Sequence, residues 1–322
     1  MYDVVALGEL LIDFTPKGED ESGYPVLTAN PGGAPGNFLA ALSACGVKTA
    51  FLGKVGHDDF GRLLVKTLGD AGISTAGVRM DPEVFTTLAF VTLGEGGERS
   101  FSFARKPGAD TRLRWEEVDR GLIDGAKVFH FGTLSLTDEP VRTATREAVA
   151  YARRRGKRIT FDPNLRLPLW RTAEEARSEI LWGLGQADVV KISDEEVDFL
   201  WECGPEEGAD RLLKEYGVSL AMVTLGAEGC LLRSRRAVCR LACPQVCPVD
   251  TTGAGDIFGG SAVARLLELG KGPAELEESD LAYVGRYAVM AASMSTEHPG
   301  GIPSVPKAER VLRRLAEESL SR

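Results

Sequence analysis

An α/β fold is predicted for this 322-residue chain: a doubly wound, mostly parallel sheet flanked by helices, with a small inserted β lid. Three observations predict it. Short apolar runs alternate with amphipathic stretches along the chain, the rhythm of β-α repeats. Several of those runs are continuously apolar, as in strands buried on both faces of a parallel sheet. Two segments, about 14–30 and 86–110, break the rhythm, and the second carries a hairpin pattern. The expectation is one domain over residues 1–322 with these segments as lid insertions.

In chain order, the first strand candidate is Asp3–Leu7. Phe14–Ala29 follows, with its Pro, Gly and acidic residues. Thr49–Lys54 is the next strand. Asp59–Asp70 is helical: Phe60, Leu63, Leu64 and Leu68 mark one face and Gly72 stops it. In Thr86–Arg105, two alternating runs flank the turn Gly94-Glu95-Gly96-Gly97. Such a hairpin has no core of its own, so it is expected over the carboxyl edge of the sheet, where these folds bind ligands; an edge hairpin of the main sheet is the alternative. Val128–Gly132 is a strand. Val141–Arg155 is a helix with Val141, Thr145, Ala148 and Ala152 on one face, ahead of Gly156. Arg158–Phe161, Val189–Ile192 and Ala221–Leu225 are strands, and Lys307–Ser319 is an amphipathic helix. There are no internal repeats or low-complexity segments.

Composition narrows the function. The net charge of -9 argues against nucleic acid as a partner. The basic run Arg153–Arg158 reads as a solvated helix C-terminus that complements the helix dipole. No apolar stretch approaches a membrane span, and the acidic N-terminus is not that of a signal peptide, so a cytoplasmic location is expected. Of the six cysteines, Cys239, Cys243 and Cys247 are evenly spaced. Pro244 and Pro248 prevent a shared helical face and no His is near, so reduced, packed thiols are expected over zinc. His130 reads as a core histidine. There is no GxGxxG after a strand and no Walker loop, which counts against dinucleotides and P-loop chemistry.

Two Gly-rich turns remain. Pro31-Gly32-Gly33-Ala34-Pro35-Gly36-Asn37 precedes a helical stretch; its glycines admit a ligand close to the backbone, and Asn37 both donates and accepts hydrogen bonds. Taken alone it could be a loop with a helix cap. Asp-Thr-Thr-Gly-Ala-Gly-Asp at 250–256 opens an amphipathic helix. It presents the N–H groups of Gly253, Ala254, Gly255 and Asp256 at a helix N-terminus, where negative charge is stabilised. Asp256 at the end of a phosphate cradle makes sense as a general base: the amides hold a migrating phosphoryl group, and the carboxylate takes the proton of the attacking hydroxyl. The helix N-terminus is expected to keep that carboxylate ionised.

The sequence resembles the PfkB (ribokinase-like) carbohydrate kinases, and among them the fructokinases. The resemblance runs through GGAPGN at 32–37, LGKVGHDDFGRLL at 52–64, LAFVTLGEGGERSFSFARKPGADTRL at 88–113, FDPNLRLPLW at 161–170, KISDEEVDFL at 191–200, VTLGAEG at 223–229 and DTTGAGD at 250–256. It implies Asp256 as base, Gly253, Ala254 and Gly255 as the anion hole, and Arg166 near the transferred phosphate. It implies sugar contacts from Asp13, Gly32, Gly33 and Asn37, with Phe101, Phe103 and Arg105 reaching down from the lid. Lys191, Thr224, Gly226 and Gly229 would serve the nucleotide, and Gly300 a turn near its adenine. Asp13 could instead cap a turn, Arg105 lie on the lid surface, and Arg166 pair with Asp162. Where the family often has Asn-x-x-Glu, this chain has Ser193-Asp194-Glu195-Glu196; Glu196 keeps the carboxylate for Mg2+, through water. Asp250 and Thr252 match part of a K+ site. The implied activity is ATP-dependent phosphorylation of a sugar, fructose first. The alternatives are 2-keto-3-deoxygluconate, an acid that wants extra cations, ribose or a ketose other than fructose as for other PfkB sugar kinases, or a non-catalytic sugar sensor or scaffold. Small-molecule sugar and ATP are the expected partners, and a homodimer through the lid is implied.

Overall fold

The computed structural model describes residues 1–93 and 99–320, with 93, 99–101, 319 and 320 described as backbone alone. In chain order the strands are β1 (Val4–Leu7), β2 (Leu11–Glu19), β3 (Pro25–Gly32), β4 (Thr49–Gly56), β5 (Ile73–Asp81), β6 (Leu88–Leu93), β7 (Arg99–Ala104), β8 (Val128–Gly132), β9 (Arg158–Asp162), β10 (Val189–Ser193), β11 (Leu220–Thr224), β12 (Cys230–Ser234) and β13 (Val238–Leu241). The helices are α1 (Ala34–Ala44), α2 (Asp59–Asp70), α3 (Arg120–Asp124), α4 (Val141–Arg154), α5 (Ala173–Leu184), α6 (Asp194–Trp201), α7 (Pro205–Glu215), α8 (Ala254–Leu269), α9 (Glu278–Ser295) and α10 (Ala308–Leu320).

Among the described residues, a nine-stranded sheet runs in the order β13-β12-β11-β10-β9-β8-β1-β4-β5. All pairs from β11 to β5 are parallel, and β12 and β13 are added antiparallel at one edge. The continuous apolar strands serve two cores at once, because successive side chains point to opposite faces. Val5 and Leu7 of β1 join Phe129, Phe131, Ile159 and the α4 and α5 side chains on one face. Val4 and Ala6 join Val128, Phe38, Leu39 and Val263 on the other. His130 is buried there, its ring stacked on Phe38 at 3.8 Å between centroids and bonded to Thr160 Oγ1 (3.0 Å). Burial, with Lys191 nearby, pushes its pKa down to about 3, so it is a neutral core histidine.

From β1 the sheet adds β4 and β5 on one side and β8 to β13 on the other. The order reverses beside β1, so the crevice at the carboxyl ends of the central strands is the ligand position of such sheets. The two interrupting segments form one second sheet, β3-β2-β6-β7, and the hairpin does not extend the main one. β2 and β6 pair in parallel, Ile12 opposite Leu88 and Phe14 opposite Phe90. Phe14 stacks on Phe90 (5.2 Å) and meets Phe60 of α2 edge-on (5.7 Å), which seats this sheet beside the larger one. The turn at 94–97 lies outside the described residues.

The sequence reading did not give strands in 14–30. Pro16 and Gly18 hide the pattern, and a register shift between them breaks the ladder with β3. Leu63 was expected on the inner face of α2, yet it is 38% exposed; Leu64 and Leu68 carry that face. The six cysteines are free thiols. Among the described residues no helix is long and apolar enough to cross a membrane.

Candidate active site

The site is built around the start of α8. Gly253 is its N-cap, in the left-handed region at φ 76°, and Asp256 sits in the first turn. A helix start leaves its first N–H groups without intrahelical acceptors. Ala254 N–H turns back to the Thr251 carbonyl (3.2 Å), so of the expected anion-hole donors Ala254 already has an acceptor within the turn. The Asp256 carboxylate is buried and accepts a hydrogen bond from Asn37 Nδ2 at 2.8 Å. Burial raises its pKa; the Asn37 amide, Lys191 and Arg166 oppose that rise. The expected ionising effect of the helix N-terminus is therefore not the governing influence. Burial dominates, and neighbouring side chains supply the correction.

The sugar-loop candidates meet this point. Gly33 caps α1 with φ 116°, and a Cβ there would stand 2.6 Å from the Glu9 carbonyl oxygen. A Cβ on Gly32 would collide with the Asp13 carboxylate. The two glycines thus let the loop close over β1 and β2, which directs Asp13 inward. Burial pushes Asp13 up to about 7, with Arg166 lowering it and Asp256 and Asp250 raising it, which places these four charges in one field. Asn37 is 3% exposed and its Oδ1 is buried without a hydrogen-bond partner. A Cβ on Gly253 would stand 2.9 Å from Asn37 Nδ2. Gly253 is therefore needed both for its backbone turn and for the room it gives this side chain.

The neighbouring strand ends supply a second group. Lys191 of β10 is buried and paired with Asp162 at the end of β9 (3.1 Å). Glu196 forms a reciprocal cap with Ser193. Ser193 Oγ accepts from Glu196 N–H (3.1 Å), and Glu196 Oε2 accepts from Ser193 N–H (2.9 Å). Its Oε1 accepts from Leu165 N–H (2.7 Å). The serine that replaces the family's Asn thus fixes the carboxylate. Thr224 pairs with Ser193 across β10 and β11; Gly226 and Gly229, at φ 53° and 112°, shape the turn into β12. Asp250 Oδ1 accepts from Thr252 N–H (2.9 Å) and Oγ1 (2.7 Å), and Oδ2 accepts from Gly300 N–H (2.9 Å).

Residues 1–308 match the model of the pfkB family carbohydrate kinases. The chain belongs to this family. It is 41% identical over 315 residues to fructokinase-1 of Zea mays, covering 96% of each. A fructokinase of Xylella fastidiosa solved with bound ATP superposes with a TM-score of 0.90 at 29% identity, over 99% of this chain and 100% of that one. A double-mutant fructokinase of Vibrio cholerae O395, in a fructose, ADP and potassium ion bound form, gives 0.85 at 30%, over 97% and 98%. The protein is a carbohydrate kinase, a phosphotransferase that acts on a sugar hydroxyl.

Not every expected residue of the kinase stands where the resemblance put it. Arg105 does not reach down from the second sheet, nor is it on the surface. It is 4% exposed and bonded to Asp110 Oδ2 (2.8 Å), Thr137 Oγ1 (2.7 Å) and the Leu134 carbonyl (2.8 Å). Gly300, at φ 86°, packs toward Asn30 and donates its N–H to the Asp250 carboxylate (2.9 Å). Phe103 lies opposite Ala89 on β7 and is half-buried; the Phe101 side chain lies outside the described residues. Arg166 follows β9 and donates to the Leu165 carbonyl (3.0 Å). Asp162 pairs with Lys191, and the charge of Arg166 lowers the pKa of both Asp13 and Asp256. Two acids were missed as site residues, Glu9 and Asp162. Glu9 holds Ala34 N–H (2.9 Å) and is pushed up to about 7 by burial. Their signal in the sequence was an acid ending an apolar strand or lying just beyond it.

Proposed function

We propose that this kinase is an ATP-dependent fructokinase, converting D-fructose and ATP to D-fructose 6-phosphate and ADP. The observation that carries the reading is the Asp256 carboxylate in the first turn of α8, tied to Asn37 and set beside the amides of the helix start. In that role Asp256 takes the proton of the 6-hydroxyl. The hydroxyl oxygen forms its bond to the γ-phosphorus as the bond to the β-bridging oxygen breaks, and ADP leaves. The Gly253, Gly255 and Asp256 amides and Arg166 steady the charge in flight. Asp13 and the unpartnered Asn37 Oδ1 accept hydrogen bonds from sugar hydroxyls. Thr224, Gly226 and Gly229 line the nucleotide side. The second sheet serves as the lid that excludes water.

Magnesium would be held through water by Glu196 and would neutralise the β- and γ-phosphates. The fit rests on Glu196: each oxygen takes one backbone N–H, which fixes the carboxylate and leaves each oxygen a further acceptor position. Asp250 and Thr252 offer oxygen donors for K+. Tyr24, just before β3, and Val26 and Leu27 on it are exposed at 68%, 41% and 40%, and we place a homodimer contact there.

The acid substrate 2-keto-3-deoxygluconate fits less well, since Arg105 is committed to Asp110 inside the protein. A sugar panel in a coupled ADP-release assay tests the assignment: fructose should give the highest kcat/KM. Asp256→Asn should lower kcat by about 10²–10⁴ while sugar still binds; near wild-type turnover refutes the base.

A further inference from the structure

Gly255 is a second glycine in a motif where a helix former would serve better. It lies in the first turn of α8 and its φ is not positive, so the backbone does not require glycine. What requires it is a side chain from another strand. A Cβ on Gly255 would stand 2.9 Å from Lys191 Nζ and 3.3 Å from Lys191 Cε. Unlike Gly253, which gives way to Asn37, Gly255 gives way to a cation. Lys191 is 8% exposed, so its ammonium is held in this slot out of bulk water. Asp162 fixes it from the next strand, with Oδ2 at 3.1 Å and Oδ1 at 3.3 Å.

We propose that Gly255 is glycine in order to admit the Lys191 ammonium, and that Lys191 is a positioning residue which, braced by Asp162, holds a fixed positive charge behind the anion hole. This deepens the kinase reading and rests on it. Lys191 then does not grip the nucleotide base or ribose; it acts through the helix start it touches. Its neighbours are consistent with that. The fields of Asp162, Glu196 and Asp256 all act on the ammonium, and an edge so rich in carboxylates needs a cation that cannot leave. A buried lysine with an ion-pair partner is a fixed charge, and fixed charges stabilise transition states without reorganising. Asp162 is accounted for by the same arrangement, as the acid that orients the lysine.

The test is a double-mutant cycle. Lys191→Ala, Gly255→Ala and Lys191→Ala/Gly255→Ala form the cycle, with Lys191→Met as a further single variant, all in steady-state kinetics, using the sugar that the wild-type protein phosphorylates fastest, with thermal unfolding as the check on folding. Lys191→Met should lower kcat about 10²-fold, with KM for ATP and sugar changed less than about 3-fold. Gly255→Ala should do the same by pushing the ammonium aside. The double variant should be no worse than either single one, because without the ammonium the added methyl meets empty space. Multiplying effects overturn the proposal, as does a Lys191→Met variant that raises KM for ATP at unchanged kcat. If Lys191→Ala does not fold, the conservative Lys191→Met takes its place in the cycle, and a kcat loss in Gly255→Ala/Lys191→Met equal to the product of the two single losses overturns the proposal. A wild-type protein that prefers a sugar other than fructose refutes the substrate assignment alone and leaves this cycle to be read on that sugar.

Discussion

Replacing Gly253 by Ala should damage this enzyme in two separable ways, and Gly46→Ala provides the reference. Gly46 ends α1 at φ 78° with nothing within 4 Å of a Cβ placed there; Gly253 has nearly the same φ, 76°. Both substitutions force a non-glycine residue into the left-handed region, at a cost of about 1–2 kcal/mol. Only at 253 does the methyl meet a wall, with Asn37 Nδ2 at 2.9 Å and Gly301 Cα at 3.1 Å. Gly301 cannot yield easily, because a Cβ placed on it would itself collide with Asn37. Overpacking of this kind costs roughly 1–3 kcal/mol. Gly46→Ala should therefore lose about 1–2 kcal/mol by denaturant unfolding and keep full activity, and Gly253→Ala about 2–5 kcal/mol, the sum of both effects. The displaced Asn37 releases the Asp256 carboxylate, and a misplacement of about 1 Å at a reacting group costs on the order of 10² in rate. If the two variants are equally stable and Gly253→Ala turns over like wild type, Asn37 does not fill that slot and the account of the base fails.

Three further outcomes are expected. Asp13 is raised to about 7 by burial, so it binds its proton more tightly folded than unfolded. Its contribution to stability is present in full below the unfolded carboxylate range near 4 and is lost as pH rises through about 7. Asp13→Asn should accordingly gain stability relative to wild type as pH rises over that window in the unliganded protein, while binding sugar more weakly; a pH-independent difference in melting refutes this. Arg105→Met leaves Asp110 buried without its partner and should cost about 3–5 kcal/mol of stability, with KM for sugar unchanged in the folded fraction; a large KM effect would restore Arg105 to the sugar site. Chelation should stop turnover, and Glu196→Gln should raise the magnesium concentration needed for half-maximal rate; an unchanged requirement removes Glu196 from the metal.

What the sequence disclosed follows from which physical signals are local. Continuous apolar runs gave β8 to within its ends, and helical periodicity with a glycine stop gave α2 and α4. The DTTGAGD turn disclosed the start of α8 and its candidate base because the helix start and the carboxylate lie within seven consecutive residues. Long-range contacts left no such mark. The lid segments are joined by pairing between Ile12 and Leu88, far apart in the chain. Arg105 looks like a lid cation in sequence because β7 ends one residue earlier, yet five residues later Asp110 captures it. The reason for Gly255 lies on β10, more than sixty residues back. Strand β5 was missed because its alternation is imperfect, and β13 because it is a short edge.

The electrostatic balance of this edge explains why its parts are tied so closely. Glu9, Asp13, Asp162 and Asp256 all have pKa values raised by burial, and Glu196 adds its charge nearby. Lys191 and Arg166 are the cations whose fields reach the base. A polyanionic nucleotide entering alone would add charge of the wrong sign, and in a buried setting like charges repel far more strongly than in water. The edge therefore favours a nucleotide that arrives with its own cation and a sugar whose hydroxyl protons answer the carboxylates. With neither ligand in place, protonation is the cheapest relief, which is the direction burial drives each of the four acids. Binding of sugar and cation-bearing nucleotide should then release protons, with Asp256 made basic at the moment a hydroxyl stands before it. Calorimetric titration of fructose in two buffers of different ionisation enthalpy reads this directly. A binding enthalpy that differs between buffers near pH 7 is the expected result, and identical enthalpies would mean the acids are already ionised before ligand arrives.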